Sequence, residues 1–339
     1  MNFKKAIFNI FKYLIFLSFG IFLFLKVTER YKFKDLLDQL QNYNYWYIFI
    51  AVAFNVLSNI SRAIRWNFLL EPLGYKVKVF NAFISVQIMY LANFFVPRGG
   101  EVARCGVLAK TDDVPFSKLV GTVIVERAID TLTLLLLAFI VFITQLSTLK
   151  KYLVENFTVP GKSVTDIFGS VYFILGILII VLSLDFVFIF RKKIKQSKIF
   201  EKIRSFYFNF IEGIKSIARL KKPFKLIFHT IFIYVMWLLM MVTFFKGFAP
   251  TQNISEMSVL TVFVVSSLSM ILPVPAGMGA FHFAVASGLV LYGIHFEIGA
   301  IIAFIMHTSI NLYLNIFGIL AFIYFLYLVF IKSKNNTGT

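Results

Sequence analysis

Long apolar runs, separated by short basic or glycine- and proline-marked breaks, dominate the chain. Residues 13–25, 46–61, 80–97, 119–146, 168–190, 226–246, 256–275, 280–293 and 297–330 are predominantly apolar. A helix rises about 1.5 Å per residue and a bilayer's hydrocarbon core is about 30 Å thick, so the longer runs predict membrane-crossing helices. The last run has room for a full span and another turn or two. The start, Met1-Asn-Phe-Lys-Lys5, is positive like a secretory leader, but no small-x-small cleavage site follows before Lys26-Val-Thr-Glu-Arg30. It reads as an uncleaved first span. Residues 31–45 form a polar connector. With no repeat of 20–50 residues and no appended soluble domain, one integral membrane unit is expected over 1–339, its membrane region about 10–330.

Composition agrees with this pattern. The chain has 339 residues, 59% of them apolar and 15% charged, with 43 Phe. Soluble domains average about 45–50% apolar and about 25% charged. If spans are about 80% apolar and loops about 40%, about 160 residues lie in the bilayer, or about eight segments. A soluble enzyme, a disordered chain and a disulfide-stapled scaffold are excluded. The net charge of +18 reads as positive-inside bias and attraction to anionic headgroups. Nucleic acid is not an expected partner, because no zinc-finger spacing, RNA-recognition signature or P-loop is present. One cysteine, Cys105, and four scattered histidines point to no structural metal, and no cofactor is expected.

Charge sets the topology. Residues 191–225 carry twelve Lys/Arg against two Glu, which assigns them to the cytoplasm. Within them Ile199, Ile203, Phe206, Phe210, Ile214 and Ile217 recur at helical spacing, the pattern of an amphipathic helix on the inner leaflet. Lys4, Lys5 and Lys12, and Lys332 and Lys334, put both termini on the same side. Parity then requires residues 80–118 to enter and leave by one face. The break at Phe95-Val-Pro-Arg-Gly-Gly-Glu-Val-Ala-Arg104 makes this a re-entrant hairpin, helix 80–96 in and helix 101–110 out. The break Pro273-Val-Pro-Ala-Gly-Met-Gly279 predicts a second hairpin, entering from the opposite face. The expected fold is therefore an all-α polytopic bundle with two broken-helix hairpins in an inverted repeat, the layout of a transporter. Packing kinks are the alternative meaning of the two breaks.

Charges inside apolar runs mark the candidate site. Glu126, Arg127 and Asp130 lie within 119–146, where unpaired charges cost about 2.5–3.5 kcal/mol each. Spacing i,i+4 shares a face between Glu126 and Asp130, and i,i+3 joins Arg127 to Asp130. They form either an ion-paired cluster fixing the hairpin, or a polar lining for a headgroup or proton, and both roles are compatible. Arg98, Gly99, Gly100, Glu101 and Arg104 are a second constellation: helix N–H groups flanked by two guanidinium groups suit a phosphate, whereas Glu101 suits a salt-bridge knot. Arg62 and Arg65 close the run 46–61 and read first as snorkelling cations at the cytoplasmic interface. Asn55, Asn59 and Arg62 nevertheless make a polar stripe, matched by His307, Asn311 and Asn315 in the last run. Hydrogen bonding between helices is the common role of such stripes, and a shared central cavity the other.

Taken in order, Arg62-x-x-Arg65 with Leu69, Leu70 and Gly74, then Asn93-x-x-x-Pro97-Arg-Gly-Gly-Glu101-x-x-Arg104, then Glu126-Arg127-x-x-Asp130, resemble the lysylphosphatidylglycerol synthase transmembrane-region family, also called flippase-like. The later Pro273-x-Pro275-Ala-Gly277-Met-Gly279 is similar to that family's second loop, and the resemblance covers about residues 10–330. It implies a multi-pass protein of the bacterial cytoplasmic membrane that translocates or binds a lipid headgroup. A soluble aminoacyltransferase domain follows the membrane region in larger members. Here the chain ends soon after its last span, so synthase activity is not expected. The family's loop reads Pro-x-x-Gly-Gly-x-Gly and then a Glu; here Ala276 replaces the first paired glycine and His282 stands where the acid is expected, a group that titrates near neutral pH.

The residues expected to meet the headgroup are therefore Arg62, Arg65, Arg98, Gly99, Gly100, Glu101, Arg104, Glu126, Arg127, Asp130, Pro273, Pro275, Gly277, Gly279 and His282. No catalytic residue is assigned. A membrane transferase acting on a lipid-linked substrate, with Glu101 or Asp130 as base, is the first alternative. A membrane partner for a separate synthase or glycosyltransferase is the second.

Overall fold

A computed structural model describes residues 43–96, 99–157, 222–272 and 274–337, with isolated positions at 18, 21, 22 and 41. The expected first span and its connector, the run 168–190, most of the basic segment 191–225, and Pro97, Arg98 and Pro273 lie outside the described residues.

Among the described residues there are helices and turns and no strand. In chain order the helices are α1 (Trp46–Leu70), α2 (Val79–Phe95), α3 (Gly100–Thr111), α4 (Phe116–Thr144), α5 (Leu146–Phe157), α6 (Pro223–Lys246), α7 (Glu256–Ser269), α8 (Ala280–Val290) and α9 (Phe296–Thr337). Four of them, α1, α4, α6 and α9, are long and apolar enough to cross a membrane, whereas α2 and α7 have 17 and 14 residues. The chain is a multi-pass membrane protein.

Local chemistry sets the helix ends. α1 begins where the Asn44 side chain accepts from the Trp46 N–H at 3.2 Å, and it stops at Glu71-Pro72-Leu73, with Gly74 left-handed at φ 85°. That end lies nine residues past the apolar run 46–61, so Arg62 and Arg65 sit inside a helix and not at its tip. α2 stops at Phe95, just before Pro97, since the residue preceding a proline is pushed away from helical geometry. Pro115 and Pro223 mark the starts of α4 and α6, and the Ser255 side chain caps α7 by accepting from Ser258 N–H at 3.2 Å.

α6 lies along α1, α9 packs on both α2 and α8, and two helix pairs, α2–α3 and α7–α8, fold back on themselves. The ends of the first pair meet: Asn81 near the start of α2 donates to Asp112 after α3 at 3.0 Å. The end of α1 joins the start of α6 through Glu71–Lys222 (2.7 Å), and Lys332 of α9 binds Asp113 and the Lys110 carbonyl. Other contacts gather the opposite helix ends. Asn44 N–H donates to the Gly247 carbonyl at 3.0 Å, Tyr292 after α8 donates to Gln145 after α4 at 3.1 Å, and Thr144 reaches Met257 of α7. Each pair thus starts and finishes beside the same set of neighbouring helix ends. The two largest of four apolar clusters hold most of the described bundle. One joins Phe244, Val262, Val285, Ile302 and Met306; the other joins Trp66, Leu70, Cys105, Leu108, Leu119 and Leu226 around the charged site.

Candidate functional site

The sharpest chemistry gathers where α1, α3 and α4 meet. Four guanidinium groups surround two carboxylates. Glu126 lies 2.9 Å from Arg104, 2.8 Å from Arg127, 3.2 Å from Arg65 and 3.8 Å from Arg62. Asp130 lies 2.7 Å from Arg65, 2.9 Å from Arg127 and 3.9 Å from Arg62. The side chains of Glu126, Arg65 and Arg104 have no exposed surface, Arg62 has 5%, and Arg127 alone is substantially open, at 41%. Such burial costs several kcal/mol per ion and persists only with close, hydrogen-bonded pairing.

The arginines are further held by aromatic faces. Arg104 sits 4.4 Å from the ring centroid of Trp66, whose indole N–H donates to Thr122 at 2.8 Å. Arg62 lies 5.1 Å from Trp237 and donates to the Tyr90 hydroxyl at 2.9 Å. Arg65 also donates to Thr230 at 3.2 Å, and the Tyr234 hydroxyl donates to the Asp130 carbonyl at 2.8 Å, so α6 joins the site.

These distances correct the sequence reading of Arg62 and Arg65. Neither side chain reaches outward as a snorkelling cation does, because α1 continues past them and both are buried against the carboxylates of α4. The candidate anion site at the start of α3 is also altered: Gly100 N–H is already bonded to Asn93 Oδ1 at 2.8 Å, and Arg104 turns into the ion-pair cluster. Gly100 is required there, since a Cβ would strike the Met89 carbonyl and come within 2.7 Å of the Asn93 amide. Gly99 precedes it in the turn, and Glu101 lies near enough to act on Arg127.

The second break packs against α2. Pro275–Gly277 form a single 3₁₀ turn in which Ala276 has φ 49° and Gly277 φ 71°; Gly279, at φ 78°, leads into α8. Alanine thus occupies a left-handed position that glycine adopts without strain. His307 holds the turn through the Ala276 carbonyl at 2.9 Å, and His282 accepts from Gly279 N–H at 3.3 Å. The two imidazole centroids are 4.6 Å apart. Sequence reasoning paired His307 with the asparagine stripe and missed this contact, which needs α9 packed beside the loop. Asn311 and Asn315 donate to carbonyls of their own helix, at 2.8 Å each. Asn59 donates to Asn55 on α1 at 3.1 Å, while Asn55 reaches α6 only through the Met240 sulfur at 3.5 Å. Asn311 and Asn315 thus bond within their own helix, whereas Asn59 also meets the Tyr313 hydroxyl of α9, so hydrogen bonding between the two helices runs through Asn59. Among the described residues no group of three or more His, Cys, Asp or Glu is placed to hold a metal.

Comparison with known proteins adds a family. The sequence model of the lysylphosphatidylglycerol synthase TM region matches residues 9–329. A UPF0104 membrane protein of Methanocaldococcus jannaschii is 32% identical over 114 residues, which is 32% of this chain and 34% of that protein. The alignment therefore spans about a third of that relative's length. No solved structure matches.

Proposed function

Because the chain belongs to the lysylphosphatidylglycerol synthase transmembrane-region family, we propose that it is a lipid translocator that binds an anionic phospholipid or lipid-linked headgroup at the arginine cluster. One observation carries the reading. Four guanidinium groups share two carboxylates, and even with Glu101 counted a positive charge remains inside an apolar surround. A phosphate is the complement of that surplus. Arg62, whose carboxylate contacts are the longest at 3.8 and 3.9 Å, is the least committed, and Arg127 is the most open. Arginine's planar fork binds phosphate through two parallel bonds.

In this reading α2–α3 and α7–α8 are re-entrant hairpins opening to opposite faces of a bacterial cytoplasmic membrane, with both termini in the cytoplasm. The headgroup leaves water at Arg127, exchanges its hydration for guanidinium contacts, and moves as the hairpins rearrange. The two breaks allow that rearrangement because their turns interrupt regular helix pairing. No covalent bond is made or broken: each acid of the cluster is engaged by arginines, which leaves neither as a free base. A separate synthase or glycosyltransferase supplies the lipid.

Reconstitution in liposomes tests this. Fluorescent anionic and zwitterionic phospholipids are placed in one leaflet, and their exchange is followed by a membrane-impermeant quencher. Wild type should move the anionic lipid faster than empty vesicles do, and Arg62→Gln should slow it at least tenfold. Equal exchange by wild type, variant and empty vesicles removes the proposal.

A further inference from the structure

The turn at the second break is tied to two imidazoles, and the ties make opposite demands. Gly279 N–H donates to His282 Nδ1 at 3.3 Å, so that nitrogen has to be bare. The Ala276 carbonyl can only accept, so His307 Nε2, 2.9 Å away, has to carry a hydrogen. A neutral ring satisfies each demand. A further proton acts on the two differently. On His307 it settles on Nδ1 and leaves the bond to Ala276 in place. On His282 Nδ1 is again the position that receives it, and there it faces the Gly279 N–H and breaks the tie.

The closed turn does not accommodate that charge. His282 is 2% exposed, against the rings of Phe281 and Phe304, and it stands third in α8, where the helix dipole opposes a cation. Among the described residues the titratable groups on the surrounding helices are few. α8 carries no other, and α2, packed against the turn, has only Tyr90. α7 has only Glu256, at the end that lies beside Tyr292. α9 adds His307, with Glu297 about 15 Å and Tyr313 about 9 Å away along the helix. Of these, His307 bears on His282 from 4.6 Å, and it brings no negative charge. Opening the turn to water and taking up a proton are therefore one event, and acid favours it.

The first break is closed differently, by the full ion pair of Arg104 and Glu126. The second is closed by neutral rings of the kind that change charge near neutral pH. Its turn rests on α2, whose Tyr90 accepts from Arg62, so its release reaches the arginine cluster through that helix.

We infer that His282 is a proton site that latches the second break: neutral, it closes the turn, and on taking up one proton it lets the turn open. His307 is the fixed anchor, holding Ala276 in either protonation state. The latch stands whether or not the arginine cluster holds a phosphate. One proton sets the size of the effect. In the open turn His282 meets water and titrates as a free imidazole does, at about 6.5. Above that pH the closed turn keeps its full stability; below it the open-to-closed ratio rises about tenfold per pH unit.

Full-length protein carrying Cys105→Ala and Met278→Cys is labelled with a nitroxide at position 278, within the turn. It is reconstituted in phosphatidylcholine vesicles and followed by electron paramagnetic resonance from pH 8.5 to 5.0. The ratio of mobile to immobile spectrum should be flat above about pH 7 and rise about tenfold per pH unit below about 6.5, at constant helix content. His282→Asn places an amide oxygen where Nδ1 accepts and cannot titrate, so it should abolish the pH dependence. His307→Gln keeps a donor for Ala276 and should leave the slope unchanged. A pH-independent wild type, a slope that survives His282→Asn, or a slope lost in His307→Gln overturns the latch. So does a loss of helix content that tracks the mobile spectrum, which is acid unfolding. If His282→Asn proves mobile at every pH, the slope of His307→Gln decides, because His282 is then the imidazole left at the turn.

Discussion

Arg104 and Glu126 meet in a two-pronged contact, Nη2 to Oε2 at 2.9 Å and Nη1 to Oε1 at 3.4 Å, with both side chains wholly buried. The pair ties the short helix after the glycine break to a helix long enough to cross the bilayer. Glu126 also serves the other three arginines, so replacing it leaves Arg104 with no carboxylate and the other three sharing Asp130 alone. Glu126→Gln should lower stability by about 3–5 kcal/mol, the range for breaking a buried pair from one side. Arg127→Gln, at the open edge, should cost clearly less. Thermal unfolding in detergent checks the order, and equal losses would refute it.

Gly100 and Gly106 lie on one helix and should respond oppositely to alanine. At Gly100 the new methyl meets the Met89 carbonyl and the Asn93 amide, whereas at Gly106 nothing lies within 4 Å. Gly100→Ala should reduce melting temperature and yield sharply. Gly106→Ala should stabilise by about 0.5–1 kcal/mol through helix propensity.

Ala276 is left-handed at φ 49°, a strain of about 1–2 kcal/mol for a residue with a Cβ. Glycine relieves this but makes the unfolded chain looser by about 0.4–1 kcal/mol. Ala276→Gly should therefore raise stability by about 0.5–1 kcal/mol in denaturant or thermal titration. A loss would mean that the alanine methyl packs favourably enough to offset the backbone.

The chain's single cysteine is a ready probe. Cys105 follows Arg104 and is 1% exposed inside the core with Trp66 and Leu108. A membrane-permeant maleimide should label native protein very slowly and unfolded protein at once. In Glu126→Gln, labelling should accelerate about tenfold or more, because opening of α3 becomes easier by more than about 1.4 kcal/mol. An unchanged rate would show that α3 is held by its apolar contacts alone.

Much of this architecture was legible in the chain. The two breaks are written in Pro and Gly, and the expected helices 80–96 and 101–110 fall within one residue of α2 and α3. The mutual placement of Glu126, Arg127 and Asp130 followed from helical spacing. What escaped was anything set by a partner helix. Arg62 and Arg65 look like a span's basic end until α4 is seen to pair its carboxylates with them. Asn59 and Tyr313 are unremarkable alone, since only packing shows that they share one place. His307 seemed to belong to a polar stripe, yet it grips a loop 31 residues away.

Two of the three tryptophans, Trp66 and Trp237, lie against guanidinium groups of the cluster, while Trp46 is 75% exposed. The indole excited state is sensitive to nearby charge, so the protein carries its own optical gauge of this site. Replacing Trp46 with Phe leaves a tryptophan emission, excited selectively over the tyrosines, that comes wholly from rings facing Arg104 and Arg62. Any event that shifts those cations, whether a bound phosphate or a hinge in α3, becomes visible without a label.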